Sequence, residues 1–150
     1  IDLPNGEKRR EIRARLTVRG FKDRQAADLD SYAGTAQRYS QQVVVSEAVR
    51  RGWDIVTADV AKAFLQGVSY AELAELTGQA PREVNFFLPP GSISVLQKVS
   101  GFESFDPASE VCHCDKPGTG LVDAPRAFSM KLAKVTKDVC GLLPTTIDDE

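Results

Sequence analysis

Cysteine is scarce: the 150 residues hold three, an odd number. Three thiols without a secretory context build no disulfide framework, so a reduced intracellular setting, cytoplasm or nucleus, is expected rather than secretion. Long apolar runs are absent. None approaches the roughly 20 residues of a bilayer span, and the N-terminus lacks the charged-then-apolar pattern of a secretory signal, so no membrane partner is expected. There is no internal repeat and no low-complexity tract. Solenoids and composition-driven disorder are thereby set aside.

What remains is ordinary globular material, 42% hydrophobic and 27% charged, long enough for one domain with a core. The net charge of −2 hides a strong asymmetry. Residues 7–24 carry eight basic side chains against three acidic ones, so this segment is +5 and the rest of the chain −7. A basic arm on an acidic body suits phosphate binding; it equally suits an edge strand that uses charge to prevent sheet-to-sheet pairing.

Periodicity gives a coarse order of elements. Ile12, Ala14, Leu16 and Val18 alternate with Arg13, Arg15, Thr17 and Arg19, which predicts a strand with one basic face, closed by Gly20. Residues 23–37 lack periodicity and read as loop. Residues 40–52 predict a helix, with Ser40 as its cap and Gly52 as its stop. "WDIVTADV" reads as a strand. "SYAELAELTG" reads as a helix with a Ser69-x-x-Glu72 capping box and a Gly78 stop. "REVNFFL" and "EVCHCDK" read as strands, joined by an irregular connection over 92–109. "DAPRAFSMKLAKVTKDVCG" is the longest helix, with Pro125 in its first turn and Gly141 past its end. Strands alternating with helices give an α/β or α+β class.

"TADVAKAFLQG", residues 57–67, poses the functional question. An apolar run from Trp53 leads to one aspartate, Asp59, at the expected end of a strand. An ionised carboxylate is costly to bury alone, so Asp59 either caps the following turn or binds a cation such as Mg²⁺. "DVAKAFLQG" resembles the first catalytic motif of copia-type retrotransposon reverse transcriptases, D-V-x-x-A-F-L-x-G. Three further segments agree in the same order. "RARLTVRGFK" resembles the family's K-A-R-L-V-x-x-G-F finger strand. "EVNFFLPPG" resembles E-V-Y-M-x-x-P-P-G, and "GLVDAPRAF" resembles G-L-K-Q-A-P-R-A-W.

This resemblance implies an α+β fold: a partial polymerase fingers-palm, with a small, mainly antiparallel sheet and packed helices. Residues 8–52 would be fingers and 53–150 fingers and palm, with a helical insertion at 68–80. It implies RNA-directed DNA polymerisation, a nucleotidyl transfer with two Mg²⁺ ions, of which Asp59 would be one ligand and catalytic carboxylate. The turn of Val60, Ala61, Lys62 and Ala63 would lie under the triphosphate. Phe64 would sit below the sugar and exclude a ribose 2′-OH; otherwise it is a core aromatic. Arg13 and Arg15 would contact triphosphate or template, and Gly120 the nascent base pair. Arg19, Lys22, Pro125 and Arg126 would contact nucleic acid. Implied partners are primer-template, deoxynucleoside triphosphates, and the polyprotein's integrase and RNase H.

The departures are informative. Val122-Asp123 replaces the family's Lys-Gln, Thr119 its tyrosine, and Gly34 a proline. The family's Y-x-D-D hairpin has no match. Asp148-Asp149 follows a polar Pro-Thr-Thr run rather than lying between two apolar strands, so the chain reads as a truncated domain, inactive alone.

Two other readings belong to the same residues. A non-catalytic nucleic-acid-binding remnant needs only the basic segment. Within it, residues 69–88 carry a helix-turn-helix spacing (Ala74, Gly78, Val84), with a recognition helix over about 81–88 bearing Arg82 and an exposed Phe86 or Phe87. Cys112, His113 and Cys114 alternate across a strand, so they cannot share one metal, and Cys140 is the remaining thiol.

Overall fold

The computed structural model describes residues 15–143. Arg13 and Asp148-Asp149 lie outside the described residues. The helices are α1 (Arg38–Arg51), α2 (Tyr70–Thr77), the one-turn α3 (Ile93–Leu96) and α4 (Ala124–Asp138). The strands are β1 (Asn85–Phe86) and β2 (Cys112–His113), with 3₁₀ turns at Gly20–Lys22, Ala63–Gln66 and Pro90–Ser92. Among the described residues, no helix is long and apolar enough to cross a membrane.

Helix α2 forms from purely local signals. The Ser69 hydroxyl accepts from the Glu72 amide at 3.1 Å, and the Glu72 carboxylate accepts from the Ser69 amide at 3.0 Å. Gly78, left-handed at φ 69°, ends it. Helix α4 has Pro125 in its first turn, where a missing N–H costs nothing. Helix α1 ends at Gly52 as expected but starts at Arg38, capped by the Gln37 backbone, two residues before Ser40.

The strands fall short of expectation. β1 and β2 form a single antiparallel pair, Asn85 opposite His113 and Phe86 opposite Cys112, and the two facing polar side chains bond at 2.9 Å. Residues 15–19 and 53–60 form no strand. Both carry strand-like composition, but a ladder needs a continuous partner; among the described residues, 15–19 gain only the Val18–Thr119 backbone bond to another segment. Ile55 and Val56 are accordingly left exposed. The helix-turn-helix reading is also corrected. Residues 81–84 are irregular and β1 follows, so there is no recognition helix; Pro81 and the β-forming Val84-Asn85-Phe86 run outweigh the spacing.

The core is small: Tyr70, Val84 and Leu121, with Val18, Leu73 and Cys114 against it. Helix α4 packs on the Ala63–Gln66 turn rather than across the strand pair. Cys112 and Cys114 are half-buried while His113 faces outward, the alternation of a strand; burial raises the Cys114 thiol above its ordinary value.

Candidate functional site

The four segments singled out by motif meet around the start of α4, and small residues make the meeting possible. Gly20, in the basic segment, has its Cα against the backbone of Gly120; a Cβ there would overlap the Gly120 carbonyl oxygen. Gly120 in turn sits at φ 98°, where a Cβ would strike the Val18 carbonyl. The Val18 amide donates to the Thr119 carbonyl at 3.0 Å, tying the two segments together. Gly67, the last residue of "DVAKAFLQG", lies against Ala127 of α4, with 3.1 Å available for a Cβ. The neighbouring Val68 amide donates to the Ala127 carbonyl at 3.1 Å. Ala124 and Ala127 are fully covered, so α4 approaches through two alanines of its first turn. Val84 of the fourth segment accepts from the Cys114 amide at 2.9 Å and closes the cluster.

Asp59 lies on the exposed, irregular stretch before this cluster, and no ion pair engages it among the described residues. Val60, Ala61 and Lys62 are exposed and Ala63 is half-buried; Phe64 is 40% exposed. Lys62 is the one non-glycine residue with positive φ (55°) among those described. A left-handed lysine costs about 1–2 kcal/mol, and such strain tends to collect where backbone geometry serves a ligand. The Lys62 carbonyl accepts from the Leu65 amide at 2.9 Å and starts the 3₁₀ turn carrying Phe64.

Arg15 is exposed. Arg19 and Lys22 line a groove of about 720 Å³ together with Arg24 and residues 82–90. None of the Asp59–Phe64 residues lines it. Pro125 and Arg126 are half-buried in α4's first turn, and neither lines that groove. Arg126 pairs with Asp30 and lines a separate cleft of about 310 Å³. Among the described residues, no group of three or more His, Cys, Asp or Glu side chains is arranged to hold a metal ion.

Between groove and cleft lies a buried ionic cluster. Arg82 pairs with both Asp23 and Asp123, and Asp123 is 2% exposed. Burial works against the Arg82 charge, but Asp123, Tyr70 and Asp23 together hold its pKa above the ordinary value. Tyr70 lies beneath the guanidinium, 5.8 Å from its ring centre. Burial, and then the Asp123 carboxylate, push the Tyr70 phenol well above its ordinary value. Its hydroxyl and Asp123 Oδ1 are both buried without a hydrogen-bond partner.

Arg82, read above as the cation of a recognition helix, is instead the link between the basic segment, β1 and α4. Asp123, which stands in place of the family's Lys-Gln pair together with Val122, is a buried anion with a partner. Neither role has a local sequence signal, because the three charges are 41 and 59 residues apart.

Two proteins of Arabidopsis thaliana are similar to this chain. It is 32% identical over 121 residues to the retrovirus-related Pol polyprotein from transposon RE2, and 31% identical over 121 residues to that from transposon RE1. Each match covers 80% of this chain, which spans only 7% of the length of either polyprotein. No family model matches the chain. No solved structure matches it. The chain is a retroelement-derived region, related to a short stretch of retrotransposon Pol polyproteins.

Proposed function

We propose that this region is the fingers and first palm portion of a copia-type reverse transcriptase, a Mg²⁺-dependent RNA-directed DNA polymerase. The observation that carries the reading is the convergence of the four ordered motifs: three of them touch through their own glycines and alanines, Gly20, Gly67, Gly120, Ala124 and Ala127, and the fourth joins through Val84 in the core beside Leu121. Relatedness to Pol polyproteins over most of the chain supports the same origin.

Asp59 fits one Mg²⁺ ligand, being an exposed carboxylate with no ion pair among the described residues. Bound magnesium would activate the primer hydroxyl and offset charge on the departing pyrophosphate. The chain's own residues supply the rest. The strained turn at Lys62, three residues after Asp59, supplies backbone under the triphosphate, and Phe64 sets the floor for the sugar. Arg19 and Lys22 hold nucleic-acid phosphates. Further carboxylates, and the integrase and RNase H partners, would come from other parts of the polyprotein.

The test is primer-template binding to the 150-residue chain, followed by fluorescence anisotropy with and without Mg²⁺ and deoxynucleotide. Binding should tighten when both are present, and Asp59→Asn should remove that tightening. Salt-sensitive binding indifferent to metal would favour a non-catalytic nucleic-acid-binding region instead.

A further inference from the structure

The residues around β1 alternate: Val84 is buried, Phe86 and Leu88 are half-buried, and Asn85 and Phe87 face solvent. The outward positions of a half-buried strand are ordinarily polar. Asn85 obeys this. Phe87 does not; it is 80% exposed, on the wall of the 720 Å³ groove, and adds nothing to the core. Pro89 and Pro90 follow at once, which stiffens the chain that presents it.

The same groove is lined by Arg19, Lys22 and Arg24. None of the three has an ion-pair partner among the described residues. The nearby Asp23 does not neutralise them, because Arg82 occupies it. Glu83 is the remaining carboxylate on the groove wall. The groove therefore offers both unpaired cations and an open aromatic face. An apolar protein partner would leave those cations without counter-charge.

We propose that this groove binds single-stranded nucleic acid, with Phe87 as a base-stacking platform and Arg19, Lys22 and Arg24 on the phosphates. The inference rests on the nucleic-acid reading above and adds the strand state and the stacking residue. A base can lie on an exposed ring only if its own face is free, which a duplex denies. The phosphate contacts carry affinity without regard to sequence.

The experiment measures binding of a labelled oligothymidylate of about twelve nucleotides, and of a fully paired hairpin, to the 150-residue chain without Mg²⁺ or nucleotide. Phe87→Ala and Phe87→Leu should each weaken single-strand binding about 5- to 100-fold, while Phe87→Trp retains it. None of the three should change hairpin binding or the salt slope. Arg19→Gln with Lys22→Gln should flatten the salt slope by roughly 1–2 units. Unaltered exchange protection of the Cys114 amide, which bonds to Val84, shows in each variant that the strand still stands. A Leu variant that binds like the parent, or equal loss for single strand and hairpin, overturns the proposal. Because metal and nucleotide are left out, that failure would leave the Mg²⁺-dependent complex intact; loss of the latter alone would overturn the polymerase reading instead.

Discussion

A single hydrogen at the Cα of Gly120 decides whether the basic segment can reach α4. At φ 98°, with the Val18 carbonyl against it, no other residue fits without moving backbone. Gly120→Ala should therefore separate residues 17–20 from 118–121, and exchange protection of the Val18 amide should vanish. Gly52→Ala is the control: its φ of 65° costs about 1–2 kcal/mol of strain, but nothing lies within 4 Å, so Val18 protection should survive. The Arg82 cluster makes a second residue-scale prediction, through Tyr70. Its phenol is raised by burial and then by Asp123, so the folded chain holds that proton more tightly than the unfolded one. Folding is unaffected by this group below the ordinary value of 10.0 and weakens as pH rises beyond it, by up to about 1.4 kcal/mol per pH unit. Tyr70→Phe should abolish the latest component of the phenolate absorbance titration and the alkaline loss of stability.

At the scale of elements, Ser69→Ala tests how far α2 depends on its cap. The loss should be about 1 kcal/mol of helix stability, read as faster amide exchange at Leu73, whose N–H bonds to the Ser69 carbonyl. The Glu72 carboxylate is held below its ordinary value mainly by the Ser69 amide, so its part of the cap is present above 4.5 and lost as acid protonates it. This helix was legible in the sequence because every interaction that makes it lies within a few residues. The same holds for Pro125 and Gly141 around α4 and for the Gly52 stop of α1. The strands were not legible in this way. Residues 15–19 and 53–60 have the composition, but a strand is made by what pairs with it, and composition carries no information about a partner. The site divides along the same line. The motif residues could be named from spacing, whereas Arg82 linking Asp23 to Asp123 joins residues 41 and 59 positions apart. Phe87 was visible only as one of two phenylalanines; which of them faces out depends on the register that Val84 takes in the core.

For the whole molecule, surface is the dominant fact. The accessible area is 12358 Å², against about 7,500 Å² for a compact protein of 16.3 kDa. Val44, Val49, Trp53, Val56 and Val139 are among the large apolar side chains left exposed. So much uncovered apolar surface predicts that the 150 residues alone unfold with a shallow, weakly cooperative urea transition and bind a hydrophobic dye. It also bears on catalysis, because Asp59 stands on the exposed stretch between α1 and the Ala63–Gln66 turn. With one candidate carboxylate, these residues by themselves should extend no primer. Joined in frame to the section of a related Pol polyprotein that follows the matched stretch, they should. If Asp59 holds magnesium as proposed, Asp59→Asn in that fusion removes a ligand charge while keeping shape, and the extension rate should fall by several orders of magnitude. Phe64→Ala acts on selection instead. Opening space under the sugar should raise the kcat/KM for ribonucleotides relative to deoxynucleotides, with a modest loss of overall rate. Equal loss on both substrates would make Phe64 a packing residue. If residues 1–150 extend a primer unaided, the second and third carboxylates lie within them, and Asp148 and Asp149 are the pair to mutate.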